Sequence, residues 1–98
     1  MEMTIKVIIE LQAKPGKRDE VLKAIQAVHE SRKNAPGFIS YSSYEVIDNP
    51  DSLIEIAEWE TPEARQAWLE ESMETGALNH LVRTLGIPFK ARTMREFK

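Results

Sequence analysis

Cysteine is absent from the 98-residue chain. Disulfides, thiolate nucleophiles and cysteine-bound zinc are therefore excluded. Long apolar runs are also missing. The longest, Val7-Ile8-Ile9, falls far short of the roughly 20 residues that a membrane-spanning helix needs. The opening Met1-Glu2-Met3-Thr4-Ile5-Lys6 lacks the basic stretch and apolar core of a secretory leader, so a cytoplasmic location is expected. Basic residues are scattered except in the last strand, and net charge is −3, so no nucleic-acid partner is expected. The two histidines, His29 and His80, are far apart and form no His-x-His or His-Glu-x-x-His spacing. There is no glycine-rich phosphate loop and no nucleotide fingerprint. No metal and no bound cofactor are expected.

What remains is the composition of one folded domain over residues 1–98, whose modest core a second copy would enlarge. Thr4 to Leu11 reads as a strand with Ile5, Val7, Ile9 and Leu11 on one face and Lys6, Ile8 and Glu10 on the other. Lys14-Pro15-Gly16 stops it. Lys17 to Arg32 has helical spacing, with Val21, Leu22, Ile25, Val28 and His29 on one side and charged residues elsewhere. Asn34-Ala35-Pro36-Gly37 ends that helix. Phe38 to Ile47 forms a second strand, in which simple alternation places Phe38, Ser40, Ser42, Tyr44 and Val46 on one face. Asp48-Asn49-Pro50-Asp51 turns it into a third strand, Leu53 to Trp59. Thr61-Pro62-Glu63 starts a second helix with Ala64, Ala67 and Trp68 inside, and a break or bend is expected around Glu71 to Gly76. A further helix over about Ala77 to Leu85 turns Leu78, Leu81, Val82 and Leu85 inward, with Gly86 as its cap. Phe89 to Phe97 closes the chain as a fourth strand, whose Lys90, Arg92 and Arg95 suit a protected sheet edge.

The order is βαββαβ, two split βαβ halves giving a ferredoxin-like α+β domain with a four-stranded antiparallel sheet. Strands one and three are apolar on both sides, as at Ile5 and Ile8 or Leu53 and Ile54. Helices sufficient for one face leave the other to a partner, and a two-fold related copy is the simplest. A homodimer is expected.

The segment Ile56-Ala57-Glu58-Trp59-Glu60-Thr61-Pro62-Glu63-Ala64, followed by Trp68-Leu69 and a leucine-rich helix, resembles the antibiotic biosynthesis monooxygenase family. The early Lys14-Pro15-Gly16-Lys17 and Ala35-Pro36-Gly37-Phe38 fit the same resemblance, which covers nearly the whole chain. It implies a dimeric α/β-barrel of ferredoxin-like halves. One branch of the family oxidises phenolic or quinol-like aromatics with O₂ and no cofactor. Another binds and degrades haem through a first-strand Asn, a Trp and a helix His. Of those three positions this chain keeps only the Trp, as Trp68: Ile9 stands in place of the Asn, and Asn79, beside His80, in place of the His. Many members carry a further His in the second helix, where this chain has Trp68 or Leu69.

The resemblance thus implies a cofactor-independent monooxygenase acting on a small aromatic molecule. A non-enzymatic ligand-binding or stress-response dimer is the alternative, with haem binding behind it. For the enzyme, Trp59 and Trp68 are expected to wall the pocket and offer indole N–H groups, though each also serves as a plain core tryptophan. His29 is the expected base, with Asn79 and Tyr44 as donors to the substrate anion; a boundary His bonded to backbone or water is the simpler account of His29. His80 lies off the leucine stripe and reads as a surface residue. Only one of Tyr41 and Tyr44 can face the helices if the strand alternates regularly.

Overall fold

The computed structural model describes residues 4–97. It contains β1 (Ile5–Gln12), α1 (Arg18–Arg32), β2 (Phe38–Glu45), β3 (Ser52–Trp59), α2 (Pro62–Thr75), α3 (Asn79–Thr84) and β4 (Lys90–Arg95). The strands form one antiparallel sheet in the order β2-β3-β1-β4. The βαββαβ ferredoxin-like arrangement expected from the sequence is therefore the observed one, with α3 as a short addition before β4.

Alternation along β1 and β3 decides which sheet face receives the helices. Ile5, Val7 and Leu11 are buried, as are Leu53, Ala57 and Trp59 opposite them. Against that face α1 lays Val21, Ala24, Ile25 and Val28, a stripe at helical spacing. Leu81 and Leu85 complete this cluster, while Ile5, Val7, Ala57 and Trp59 form a second. Ile9 and Trp68 pack against both and join them into one core. The opposite sheet face carries Ile8, Ile54 and Ile56 half-buried, with no helix over them.

The local signals at α2 act as the sequence indicated. Thr61 accepts a hydrogen bond from the Ala64 backbone N–H at 3.1 Å, and Pro62 occupies the first turn. The expected break falls at the end of its range: α2 runs to Thr75 and stops at Gly76, left-handed at φ +76°, before α3 begins at Asn79. Gly86 does not cap α3. Its N–H donates to the Gln12 carbonyl at 2.7 Å while Leu85 bridges to Ala13, so the chain leaves the helix early to pair with the end of β1. The buried residues of α3 are Leu81 and Thr84, and Val82, expected inside, is half exposed.

The second departure has larger consequences. Phe38 pairs with Trp59, but Ser40 pairs with Glu58 and Tyr41 with Ala57, so Ile39 is an extra residue in a β-bulge. Phe38 and Tyr41 consequently both point toward the helices, and Tyr44, opposite Ile54, falls on the other face. Simple alternation had put Phe38 and Tyr44 together; the bulge separates them.

Gly37 sits just before this bulge at φ +84°, where a Cβ would lie 2.5 Å from the Ala64 Cβ of α2. Gly16 has φ +78° but open space around it. Gly16→Ala is expected to cost about 1–2 kcal/mol, the left-handed strain alone. Gly37→Ala should cost clearly more, because β2 and α2 must also move apart. Urea unfolding midpoints compare the two, and equal losses would refute the close-approach account.

Candidate active site

The inward register of β3 runs Leu53, Glu55, Ala57, Trp59 and so drives a carboxylate into the core at Glu55, which is 5% exposed. The buried stripe of α1 continues past Val28 to Arg32, which is 2% exposed. His29 and Arg32 stand three residues apart on the helix and present both side chains to Glu55. His29 Nε2–H donates to Glu55 Oε2 at 2.6 Å, and Arg32 Nη1–H donates to Glu55 Oε1 at 2.7 Å. One carboxylate thus serves two basic side chains. In the neutral imidazole, a bond from Nε2–H to the carboxylate leaves Nδ1 as the ring's acceptor.

Aromatic rings enclose the guanidinium. Arg32 Cζ lies 4.9 Å from the Phe38 centroid, 5.4 Å from Tyr41 and 5.7 Å from Trp68, all within cation–π range. Tyr41 also stacks on His29 with centroids 3.7 Å apart. Phe38 and Tyr41 reach these places because of the bulge at Ile39. Arg32 Nε and Nη2, although buried, have no hydrogen-bond partner. Each orphaned donor of this kind costs about 1–3 kcal/mol.

Beside this cluster, between sheet and helices, is a cavity of about 50 Å³. Its wall is apolar, from Ile9, Val28, Trp68, Leu78, Leu81 and Phe89, with Arg32, Glu55 and Arg65 as the charged members. A water needs about 10–15 Å³ on such a scale and a benzene-binding cavity is about 150 Å³, so the hollow has room for a few waters and admits a ring only by widening. Burial pushes the Arg65 guanidinium below its ordinary pKa. Arg65 has no carboxylate partner among the described residues. On the other side of Glu55 an open groove of about 390 Å³ is lined by His29, Tyr41 and Tyr44 among others. Glu55 borders both spaces.

Of the residues singled out in the sequence, Trp68 lines the cavity, while His29 and Tyr44 line the groove. Trp59 is 1% exposed and stands behind the site, edge-on to Phe38 at 5.2 Å and 5.9 Å from Trp68. Asn79 is exposed at the start of α3, next to Gly76 and away from the cavity wall. The open groove is bordered by both His29 and Tyr44, but Tyr44 belongs to the opposite sheet face, and Asn79 stands apart from both. Arg32, Glu55 and Tyr41 were not singled out. Arg32 and Glu55 carried a signal all the same, since opposite charges occupy inward positions of two apolar patterns.

Haem does not fit these residues. His80 is exposed, Ile9 offers no amide, and the cavity is too small for a porphyrin. Among the described residues no group of three or more His, Cys, Asp or Glu is placed to hold a metal ion. No helix among them is long and apolar enough to cross a membrane.

The βαββαβ sheet with its helices on one face defines a ferredoxin-like α+β fold. The sequence profile of the antibiotic biosynthesis monooxygenase family matches residues 4–73, and the chain belongs to that family. None of the curated proteins compared matches it. Among solved structures it is similar to a conserved protein from Methanosarcina mazei, with TM-score 0.86 and 21% identity over 97% of this chain and 94% of that one. It is also similar to SnoaB, a cofactor-independent oxygenase from Streptomyces nogalater, with TM-score 0.85 and 14% identity over 97% and 94%. Rv0793 from Mycobacterium tuberculosis gives TM-score 0.83 and 16% identity over 97% and 96%. At these identities the likeness is one of fold.

The buried pair makes a stability test available. Glu55→Leu strands Arg32 in the core without its carboxylate and should lose about 3–5 kcal/mol. The double substitution Arg32→Met with Glu55→Leu removes both charges and should recover most of that loss. Denaturant unfolding of the two variants decides the matter; a double variant no more stable than the single one would refute the coupling.

Proposed function

We propose that this protein is a cofactor-independent monooxygenase that oxidises a small phenolic or quinol-like aromatic with O₂. The observation that carries the reading is an apolar cavity whose wall holds a buried, incompletely hydrogen-bonded guanidinium, with a carboxylate-bound histidine close by. An electron-rich phenol becomes a much stronger reductant once it loses its proton. The site has to favour that anion and hold it dry.

In this reading Glu55, which borders the cavity and is held by His29 and Arg32, receives the phenolic proton, and His29 positions the carboxylate. Positive charge at Arg32 and Arg65 stabilises the phenolate inside low-dielectric walls. Trp68 forms one wall, with Trp59 fixing its position from behind. The phenolate passes one electron to O₂, and the radical pair combines at a ring carbon bearing hydrogen. The resulting carbon-bound hydroperoxide loses water to give the quinone. One oxygen atom stays on carbon and the other leaves as water, so no external reductant is consumed. Asn79 and Tyr44, expected as anion donors, are not needed, because Arg32 supplies that charge from inside the wall.

We further propose that the working form is a homodimer joined through the sheet face opposite the helices. Ile8 and Ile56 are cross-strand partners at the centre of that face, with Ile54 and Tyr44 beside them. One subunit measures 45 × 34 × 19 Å, a slab of one sheet and one helix layer. A second slab would turn its uncovered side into an interior.

Two experiments check these statements. Oxygen consumption should appear when the protein meets single-ring hydroquinones and alkoxyphenols, and His29→Ala should lower kcat by at least about 100-fold; no uptake across the panel would refute the oxygenase reading. Sedimentation should give a dimer at micromolar concentration. Ile56→Lys should give a folded monomer, and a wild-type monomer would overturn the assembly.

A further inference from the structure

The hollow beside Glu55 admits a ring only by widening, and its wall is unevenly held. Toward the groove along β2 the partition is Leu11, Ile25 and Glu55, all buried, with the carboxylate bonded twice. A larger open groove of about 600 Å³ lies between α2 and the turn that leads into β2. Among the described residues a single one, Trp68, borders both the hollow and that groove. Trp68 is half-buried, and α2 buries only Ser72, whereas α1 buries Val21, Ala24, Ile25, Val28 and Arg32. Of the three rings around Arg32 its ring is the most distant, so its departure costs the guanidinium least. The groove beside it is walled by Ala35, Gly37, Ala64, Ala67 and Ala77, residues too small to fill the space. A tryptophan on a helix has two open χ1 wells, and the change from one to the other swings the whole indole across the helix surface.

Resting on the reading that this hollow receives an aromatic ring, we propose that Trp68 is its gate and sets the size of what enters. The indole swings out of the hollow into the groove along α2, and the ligand takes the space it leaves. Indole is a fused pair of rings, so that space, joined to a hollow that holds a few waters, takes about one benzene-sized ring. The opened site is therefore sized for a single-ring ligand. Trp59, 1% exposed and bordering neither space, stays in place as the stop against which the gate closes. Access and size are decided at Trp68, apart from the proton transfer at Glu55.

Fluorine NMR of protein labelled with 5-fluorotryptophan tests this, with the two resonances assigned through Trp68→Phe. The change in each resonance between water and D₂O reports how far that ring is exposed. Under argon, saturating benzene or hydroquinone, with binding followed by calorimetry, should raise this solvent shift for Trp68 at least about twofold and leave Trp59 unchanged. Ala67→Leu fills the groove beside the gate at a residue that does not line the hollow. It should slow stopped-flow association of either ring at least about tenfold, because opening must precede entry. An unmoved Trp68 shift in saturated protein, no binding of either ring, or an association rate unchanged in Ala67→Leu overturns the gate; if Ala67→Leu does not fold, the labelled wild-type protein decides alone. Benzene has no phenolic proton, so its result does not depend on the oxygenase reading. A Trp68 that moves, without oxygen uptake from any phenol, sinks that reading and keeps the gate. Oxygen uptake with Trp68 unmoved does the reverse.

Discussion

The interior of this protein is organised around one carboxylate. Glu55 is placed in the core by the same alternation that buries Leu53, Ala57 and Trp59, and once there it must be paired. Its two oxygens take His29 and Arg32, neighbours on one helix face. This fixes the rotation and axial position of α1 over the sheet more tightly than the aliphatic stripe does, because aliphatic contacts tolerate sliding and a doubly bonded carboxylate does not. Apolar packing here supplies stability, and the hydrogen-bonded Glu55–His29–Arg32 cluster supplies register, a division seen where buried charges confer specificity at some energetic cost.

Much of the architecture was legible before any coordinates. Period two in β1 and β3, period 3.6 in α1 and the Thr61-Pro62 start of α2 are strong local signals, and each corresponds to an observed element. The ends were less legible. Gly86 looked like a helix cap, but its N–H is required by Gln12, a partner more than seventy residues away in sequence. No local rule anticipates a competing long-range hydrogen bond. The cavity was legible in part: Trp68 was marked by its pattern, whereas Arg32 was read among the charged residues off the apolar side of its helix. Its position in the 21-25-28-32 series carried the contrary message. Asn79 followed from family correspondence and from a place between the two faces of its helix, and the turn at Gly76 leaves it outside.

Family membership and site chemistry are separate kinds of knowledge here. The family match and the likeness to SnoaB and the Methanosarcina protein describe a scaffold, and a scaffold hosts many chemistries. What distinguishes this chain lies in a few side chains: a carboxylate shared by two bases, a caged guanidinium with a free edge, and an apolar hollow beside them. The hollow has an apolar wall, so each charge in it acts more strongly than it would in a polar, solvent-filled cleft.

The bulge at Ile39 gives β2 an odd parity between Phe38 and Tyr41. A chain one residue shorter at this point would still turn both rings inward, since regular pairing would then keep them in phase. A chain of the present length that paired Ile39 regularly would send Tyr41 to the opposite side of the sheet, unstack it from His29 and open one flank of the arginine. Enclosure of the charged centre is thus decided by counting along the strand, and the amino acid at position 39 matters less than whether it is counted.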